Sequence, residues 1–136
     1  MSQTANARIL IVDDSLVARR LLIGQLRELG FNTVVEAENA EQGMSALVAS
    51  REGEPFSLIF TDLRMPGTPG DRFIQNLQKE PDFKQIPKLI SSVETDRSVV
   101  LNALLTGADG YILKPTTVPV LREKITKALQ KDNKPK

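Results

Sequence analysis

Short apolar runs alternate with longer stretches of helical period along this chain. The runs are Ile9 to Val12, Thr33 to Ala37, Ser57 to Thr61, Lys88 to Ser92 and Tyr111 to Leu113. They are near-continuously apolar, as parallel strands covered on both faces should be. Between Ser15 and Leu29, the residues Ala18, Leu21, Leu22, Leu26 and Leu29 recur at helical spacing, and Gly30 follows where a left-handed cap belongs. Asn39 with Gln42 resembles a capping box. Thr68 with Pro69 places a cap before a proline in the first helical turn, and Leu121, Ile125, Ala128 and Leu129 mark a last helix. This alternation predicts an α/β domain, a parallel sheet between two helical layers, with any site at the carboxyl ends of the strands.

Length and composition narrow the chemistry. The 136 residues suit one domain, with a core over about 7–131 and polar ends, Met1 to Ala7 and Lys131 to Lys136, that are expected to fray. Eighteen Lys and Arg against seventeen Asp and Glu leave a net charge of +1, so no general electrostatic argument points to nucleic acid or an acidic membrane. The first apolar run is too short for a membrane span, and the chain is read as cytoplasmic, without membrane association. There is no cysteine and no histidine, which excludes Cys/His zinc sites, thiolate chemistry and histidine acid–base catalysis. Any metal must then be a hard cation held by oxygen atoms.

Carboxylates stand where such a site is expected. Asp13 and Asp14 follow the first strand, and Asp62 follows Thr61 at the end of the third. If the first and third strands are neighbours, these acids share one shallow cleft. Their mutual repulsion favours a divalent cation, Mg²⁺ being the natural one. Taken singly, each feature has a plainer reading. Asp13-Asp14-Ser15 caps a helix, Asp62 is a solvated loop acid, Lys114-Pro115 ends a strand in a turn, Ser92 satisfies a strand terminus, and Tyr111 is a packing residue.

Together, Val12-Asp13-Asp14-Ser15, Asp62-Leu63-Arg64-Met65-Pro66-Gly67, Ser92 and Gly110-Tyr111-Ile112-Leu113-Lys114-Pro115 resemble, in order, the motif set of response-regulator receiver domains. The resemblance covers nearly the whole chain. It implies a flavodoxin-like, doubly wound five-stranded sheet of order 2-1-3-4-5 flanked by five helices. It further implies that Asp62 is the nucleophile that accepts a phosphoryl group from a histidine kinase, a histidine phosphotransfer protein or a small phosphodonor. Asp14, Asp62 and the backbone carbonyl of Arg64 would bind Mg²⁺ or Mn²⁺ directly, with Asp13 acting through a water. Lys114 would meet the phosphoryl oxygens, Ser92 would donate a hydrogen bond to them, and Tyr111 would rotate into the space that Ser92 vacates. The Lys114-Pro115 bond is expected to be cis.

The main function expected is phosphorylation-dependent signal relay in a two-component system, with a phosphate sink or an unphosphorylated scaffold as alternatives and no turnover of external substrates. A downstream protein partner is expected on the fourth helix, fifth strand and fifth helix, where the apolar residues from Val100 to Leu105 exceed what one helix face can bury. Three positions depart from the usual pattern: Val93 after Ser92, Arg64 two residues after Asp62, and Thr116 after Lys114-Pro115 where chemotaxis-type members often have an aromatic residue. Val93 is expected to narrow access to the phosphoryl site. Arg64 and Glu94, two residues beyond Asp62 and Ser92, are expected to form an ion pair that lengthens the phosphoryl lifetime.

Overall fold

The computed structural model describes residues 6–130. The elements run β1 (Arg8–Val12), α1 (Leu16–Glu28), β2 (Thr33–Ala37), α2 (Ala40–Ala49) with a short 3-10 turn (Ser50–Glu52), β3 (Leu58–Thr61), α3 (Gly70–Gln78), β4 (Lys88–Ser92), α4 (Arg97–Leu104), β5 (Gly110–Leu113) and α5 (Val118–Leu129). The strands form one parallel sheet in the order β2-β1-β3-β4-β5. The doubly wound architecture and the strand order implied by the resemblance are both present.

Strand period 2 divides the core. Ile9 and Ile11, Leu58 and Phe60, Leu89, and Ile112 point to one face, where Leu22, Ile23 and Leu26 of α1 and Leu121, Ile125 and Ala128 of α5 cover them. Leu10 and Val12, Ile59 and Ile90 point to the other, under α2, α3 and α4. The central strands are therefore apolar on both sides, as their sequences indicate. The edge strands are not: β2 is half-open along most of its length, and Leu113 of β5 is exposed. Lys88 opens β4 fully buried, its ammonium donating to the carbonyls of Phe83 (3.0 Å), Lys84 (3.1 Å) and Ile86 (2.6 Å) and so tying down the connection from α3.

Helix α1 departs from the expected stripe. It buries Arg19, Leu22, Ile23 and Leu26, while Leu21 is 65 % exposed. The buried arc includes an arginine, which a count of apolar positions passes over. The C-terminal cap agrees with expectation. Gly30 takes φ +96°, its N–H donates to Arg27 O (3.0 Å), and Phe31 N donates to Leu26 O (2.9 Å), closing a Schellman turn whose apolar contact is Phe31 within the core. The Asn39 cap also holds, with Gln42 N donating to Asn39 Oδ1 (2.8 Å), but Gln42 Oε1 accepts from Glu38 N (2.9 Å) rather than from Asn39 N.

Two expectations are corrected. Thr68 does not cap α3. Pro69 occupies the cap position in an extended conformation, and the Thr68 hydroxyl donates to Glu41 Oε2 (2.7 Å) instead. Ala7, placed among fraying residues, is buried in the core beside α1 and α5. The remaining polar ends, 1–5 and 131–136, lie outside the described residues.

Candidate functional site

Each of the main site residues is the first residue beyond a strand and is held by a neighbouring strand. Asp13 N donates to Ala37 O (3.0 Å), Asp62 N donates to Val12 O (2.9 Å), and Lys114 N donates to Ser92 O (2.8 Å). Parallel pairing thus extends one residue past β1, β3 and β5 and brings three distant sequence positions to one sheet edge. There Lys114 Nζ donates to Asp13 Oδ2 (2.5 Å) and to Asp62 Oδ2 (3.1 Å). Asp62 Oδ1 accepts from Leu63 N (2.6 Å), and Asp13 Oδ1 accepts from Ser15 N (2.9 Å). Asp13 is buried, Asp62 half-buried and Asp14 exposed. Ser15 itself caps α1, accepting from Ala18 N (3.1 Å), so the capping role and the acidic pair coexist.

Electrostatics bind this group together. Burial presses the Lys114 ammonium toward its neutral form. The hydrogen bond to Asp13 and the charges of Asp62 and Asp13 outweigh that pressure, so its pKa stands above the ordinary lysine value. One carboxylate oxygen from each of Asp13, Asp14 and Asp62 falls within 4.8 Å of the others. An all-oxygen anionic donor set of this kind suits a hard divalent cation.

Ser92 and Tyr111 meet at Glu94. Ser92 is buried, and its hydroxyl accepts from Glu94 N (3.2 Å). Tyr111 is half-buried on the same sheet face, and its hydroxyl donates to Glu94 O (2.8 Å). The Glu94 carboxylate accepts from Arg64 and from Asp96 N (3.0 Å), and Asp96 in turn caps α4 through Ser98 N and Val99 N. The expected Arg64–Glu94 ion pair is therefore formed. The hydrogen bond from Arg64 holds the Glu94 carboxyl below the usual range, and the same bond raises the guanidinium. Val93 is 70 % exposed, and its side chain lines a cavity of about 380 Å³ with Leu21, Ser91, Lys114, Pro115 and Thr116. The Lys114-Pro115 bond is cis, as expected.

Sequence reasoning missed two residues that shape the site. Arg19 is buried under it, Nη1 donating to Asp13 O (2.7 Å) and Nε to Glu36 Oε1 (3.0 Å). Its signal was a charge in phase with Leu22 and Leu26. Gly70 opens α3 against the Asp62 turn. A Cβ there would lie 1.9 Å from Asp62 O, and Gly70 N donates to Leu63 O (2.8 Å). Its signal was a glycine at a helix start, where a side-chain cap is the commoner choice.

The comparisons agree with this geometry. The response regulator receiver domain family matches residues 9–126. Chemotaxis protein CheY-3 of Vibrio cholerae serotype O1 is 36% identical over 126 residues, 93% of this chain and 94% of that protein. Chemotaxis protein CheY of Pseudomonas aeruginosa is likewise 36% identical, over 93% of this chain and 98% of its own. Among solved structures, CheY4 of V. cholerae superposes with a TM-score of 0.77 at 26% identity, covering 91% of this chain and 99% of that one. The receiver domain of a Syntrophus aciditrophicus histidine kinase gives 0.78 at 27% identity, covering 96% and 95%. Sequence motifs, strand order and site geometry converge, and the chain belongs to the response regulator receiver domain family.

Proposed function

We propose that the chain relays a two-component signal by accepting a phosphoryl group on Asp62. The reading is carried by one observation: Asp62, Asp13 and Lys114 are joined by hydrogen bonds at the carboxyl edge of the sheet, with Asp14 within reach of both acids. Asp62 attacks the phosphorus of a phosphohistidine on a histidine kinase or histidine phosphotransfer protein. The P–N bond breaks, its electron pair stays with the imidazole, and an aspartyl phosphate forms. Asp14, Asp62 and the Arg64 carbonyl would hold Mg²⁺ or Mn²⁺, with Asp13 acting through a water, and the bound cation would neutralise charge on the phosphoryl oxygens. Lys114, freed from Asp62 as that carboxylate becomes an acyl phosphate, turns to the phosphoryl oxygens.

Ser92 then exchanges the Glu94 amide for a phosphoryl oxygen, and Tyr111 follows the altered β4–α4 loop. That shift between two populations reaches the face of α4, β5 and α5, where Leu101, Leu105, Leu113 and Val120 are exposed. A downstream protein partner docks there. The chain works in the cytoplasm without contacting nucleic acid or membrane. No helix of the described residues is long and apolar enough to cross a membrane. The lifetime of the aspartyl phosphate is set by Arg64 and Glu94, with Val93 beside the route of the attacking water. Intact mass after incubation with Mg²⁺ and a small acyl phosphate tests the reading. One added phosphoryl group, prevented by chelation, is the expected result.

A further inference from the structure

The Asp13 peptide is held on every polar side. Its N–H is tied to β2 at Ala37 O (3.0 Å), and its carboxylate accepts from Ser15 N (2.9 Å) and Lys114 Nζ (2.5 Å). Its carbonyl accepts from Arg19 Nη1 (2.7 Å). The first three come from the sheet edge and the site itself. The fourth comes from a side chain that is 7 % exposed and lies on the buried stripe of α1. Burying a guanidinium there is costly unless its charge is matched. Glu36 of β2 provides the match, accepting from Arg19 Nε at 3.0 Å. Arg20 approaches the same Glu36 oxygen at 3.6 Å from an exposed position.

A paired guanidinium contributes little net field at the acidic cluster, so its effect there is geometric. The Asp13 carbonyl belongs to the peptide that leads into Asp14, and Asp14 is the exposed member of the acidic group. Whatever fixes the plane of that peptide fixes the starting direction of the Asp14 carboxylate. Arg19 fixes it to α1 and, through Glu36, to the edge strand β2. We infer that Arg19 is a positioning residue for the divalent cation: by clamping the Asp13 carbonyl it aims the Asp14 carboxylate at the cation site. This rests on the reading of Asp13, Asp14 and Asp62 as the cation's holders and adds to that reading a residue behind them. Groups that orient metal-holding side chains without touching the ion typically alter affinity by about 10–100-fold when removed.

The test measures Mn²⁺ affinity on the whole chain by the loss of the free-ion electron paramagnetic resonance signal, alongside thermal melting. The informative variant is Arg19→Met with Glu36→Gln. It removes one positive and one negative charge together, so net charge is unchanged and no buried charge is left alone. The dissociation constant for Mn²⁺ is expected to rise on the order of tenfold. Phosphorylation by a small acyl phosphate should then need more Mn²⁺ for half-maximal rate, while the rate at saturating Mn²⁺ falls far less. Arg19→Lys, which keeps the charge but cannot span both the carbonyl and Glu36, is the second variant and should fall between the two. Mn²⁺ affinity within twofold of the wild type in either folded variant, whatever the change in melting temperature, overturns the inference and leaves Arg19 a structural residue. Failure of the wild type itself to bind Mn²⁺ overturns the reading of the acidic cluster, and the role of Arg19 falls with it.

Discussion

Arg64 and Glu94 form a hydrogen-bonded ion pair that bridges the loops following β3 and β4, each two residues beyond a residue of the site, Asp62 and Ser92. Because Arg64 is largely exposed, the pair contributes little to fold stability, and the role proposed for it is kinetic: to obstruct the water that would hydrolyse an aspartyl phosphate. Arg64→Ala and Glu94→Ala are each expected to speed dephosphorylation on the order of two- to fivefold. The double variant should be no faster than the quicker single one, since the second change has no pair left to break. Decay of the phosphorylated mass after donor removal measures this. Additive effects, or none, would leave water access to Val93.

Gly70 sets the backbone of the turn that carries Asp62. With a Cβ built 1.9 Å from Asp62 O, Gly70→Ala cannot be accommodated without moving either α3 or the Asp62 carbonyl. Overpacking of this kind costs about 1–3 kcal/mol, and the displaced turn should slow phosphorylation as well. Thermal melts and phosphorylation rates measured on the same variant check both. An unchanged melting temperature with a normal rate would show that the turn is softer than this contact requires.

Lys114 gives a pH signature with a defined sign. Its folded pKa is raised, so the stability it contributes is fully present below the unfolded lysine value, about 10.4, and is lost as pH rises through the higher folded value. Lys114→Met should therefore be less stable than the wild type at neutral pH, where Asp13 and Asp62 lose their shared cation. The gap should narrow only above the ordinary lysine range. Melting temperatures of both proteins across pH 7–11.5 measure it. A gap that closes already near pH 9 would contradict the raised value. The variant should still take some phosphate, because the nucleophile remains, but transmit it less well to the output face.

Much of this was legible in the chain. The apolar runs marked all five strands to within a residue at each end, because a strand buried on both faces has to be apolar nearly throughout. Asp13 and Asp62 were legible because strand-end positions in a parallel sheet gather at one edge whatever their separation in sequence, whereas Lys114 came from the family resemblance. Strand order did not follow from alternation and came from the family resemblance. What stayed hidden depends on tertiary contact. Leu21 looks like a core residue but faces outward, whereas Arg19 looks solvated and is buried because Glu36 and the Asp13 carbonyl wait for it. Thr68 has the local features of a cap, yet Glu41 of a different helix takes its hydroxyl, and Gly70 must press against Asp62. Helix periodicity carries no information about such partners.

The proposed output face offers a separate test. On α4 and at its C-cap the structure turns Leu101 and Leu105 outward, 53 % and 84 % exposed, and buries Ala103, while Leu113 and Val120 extend the apolar surface over β5 and α5. Glu94 connects this face to the site through Tyr111 and the Asp96 cap. Phosphorylation, or a stable mimic of it, should change amide exchange in the 94–106 segment and β5, and leave the α2 amides unaffected. Unchanged exchange throughout α4, β5 and α5 would remove this surface as the output.

The central claim is that Asp62 receives the phosphoryl group, and intact-mass analysis of the wild type and of Asp62→Asn, each incubated with Mg²⁺ and a small acyl phosphate, tests it most directly. The wild type should gain one phosphoryl group and lose it again over time, while Asp62→Asn, which retains the fold but lacks the nucleophilic carboxylate, should gain none. Undiminished phosphorylation of Asp62→Asn would contradict the assignment.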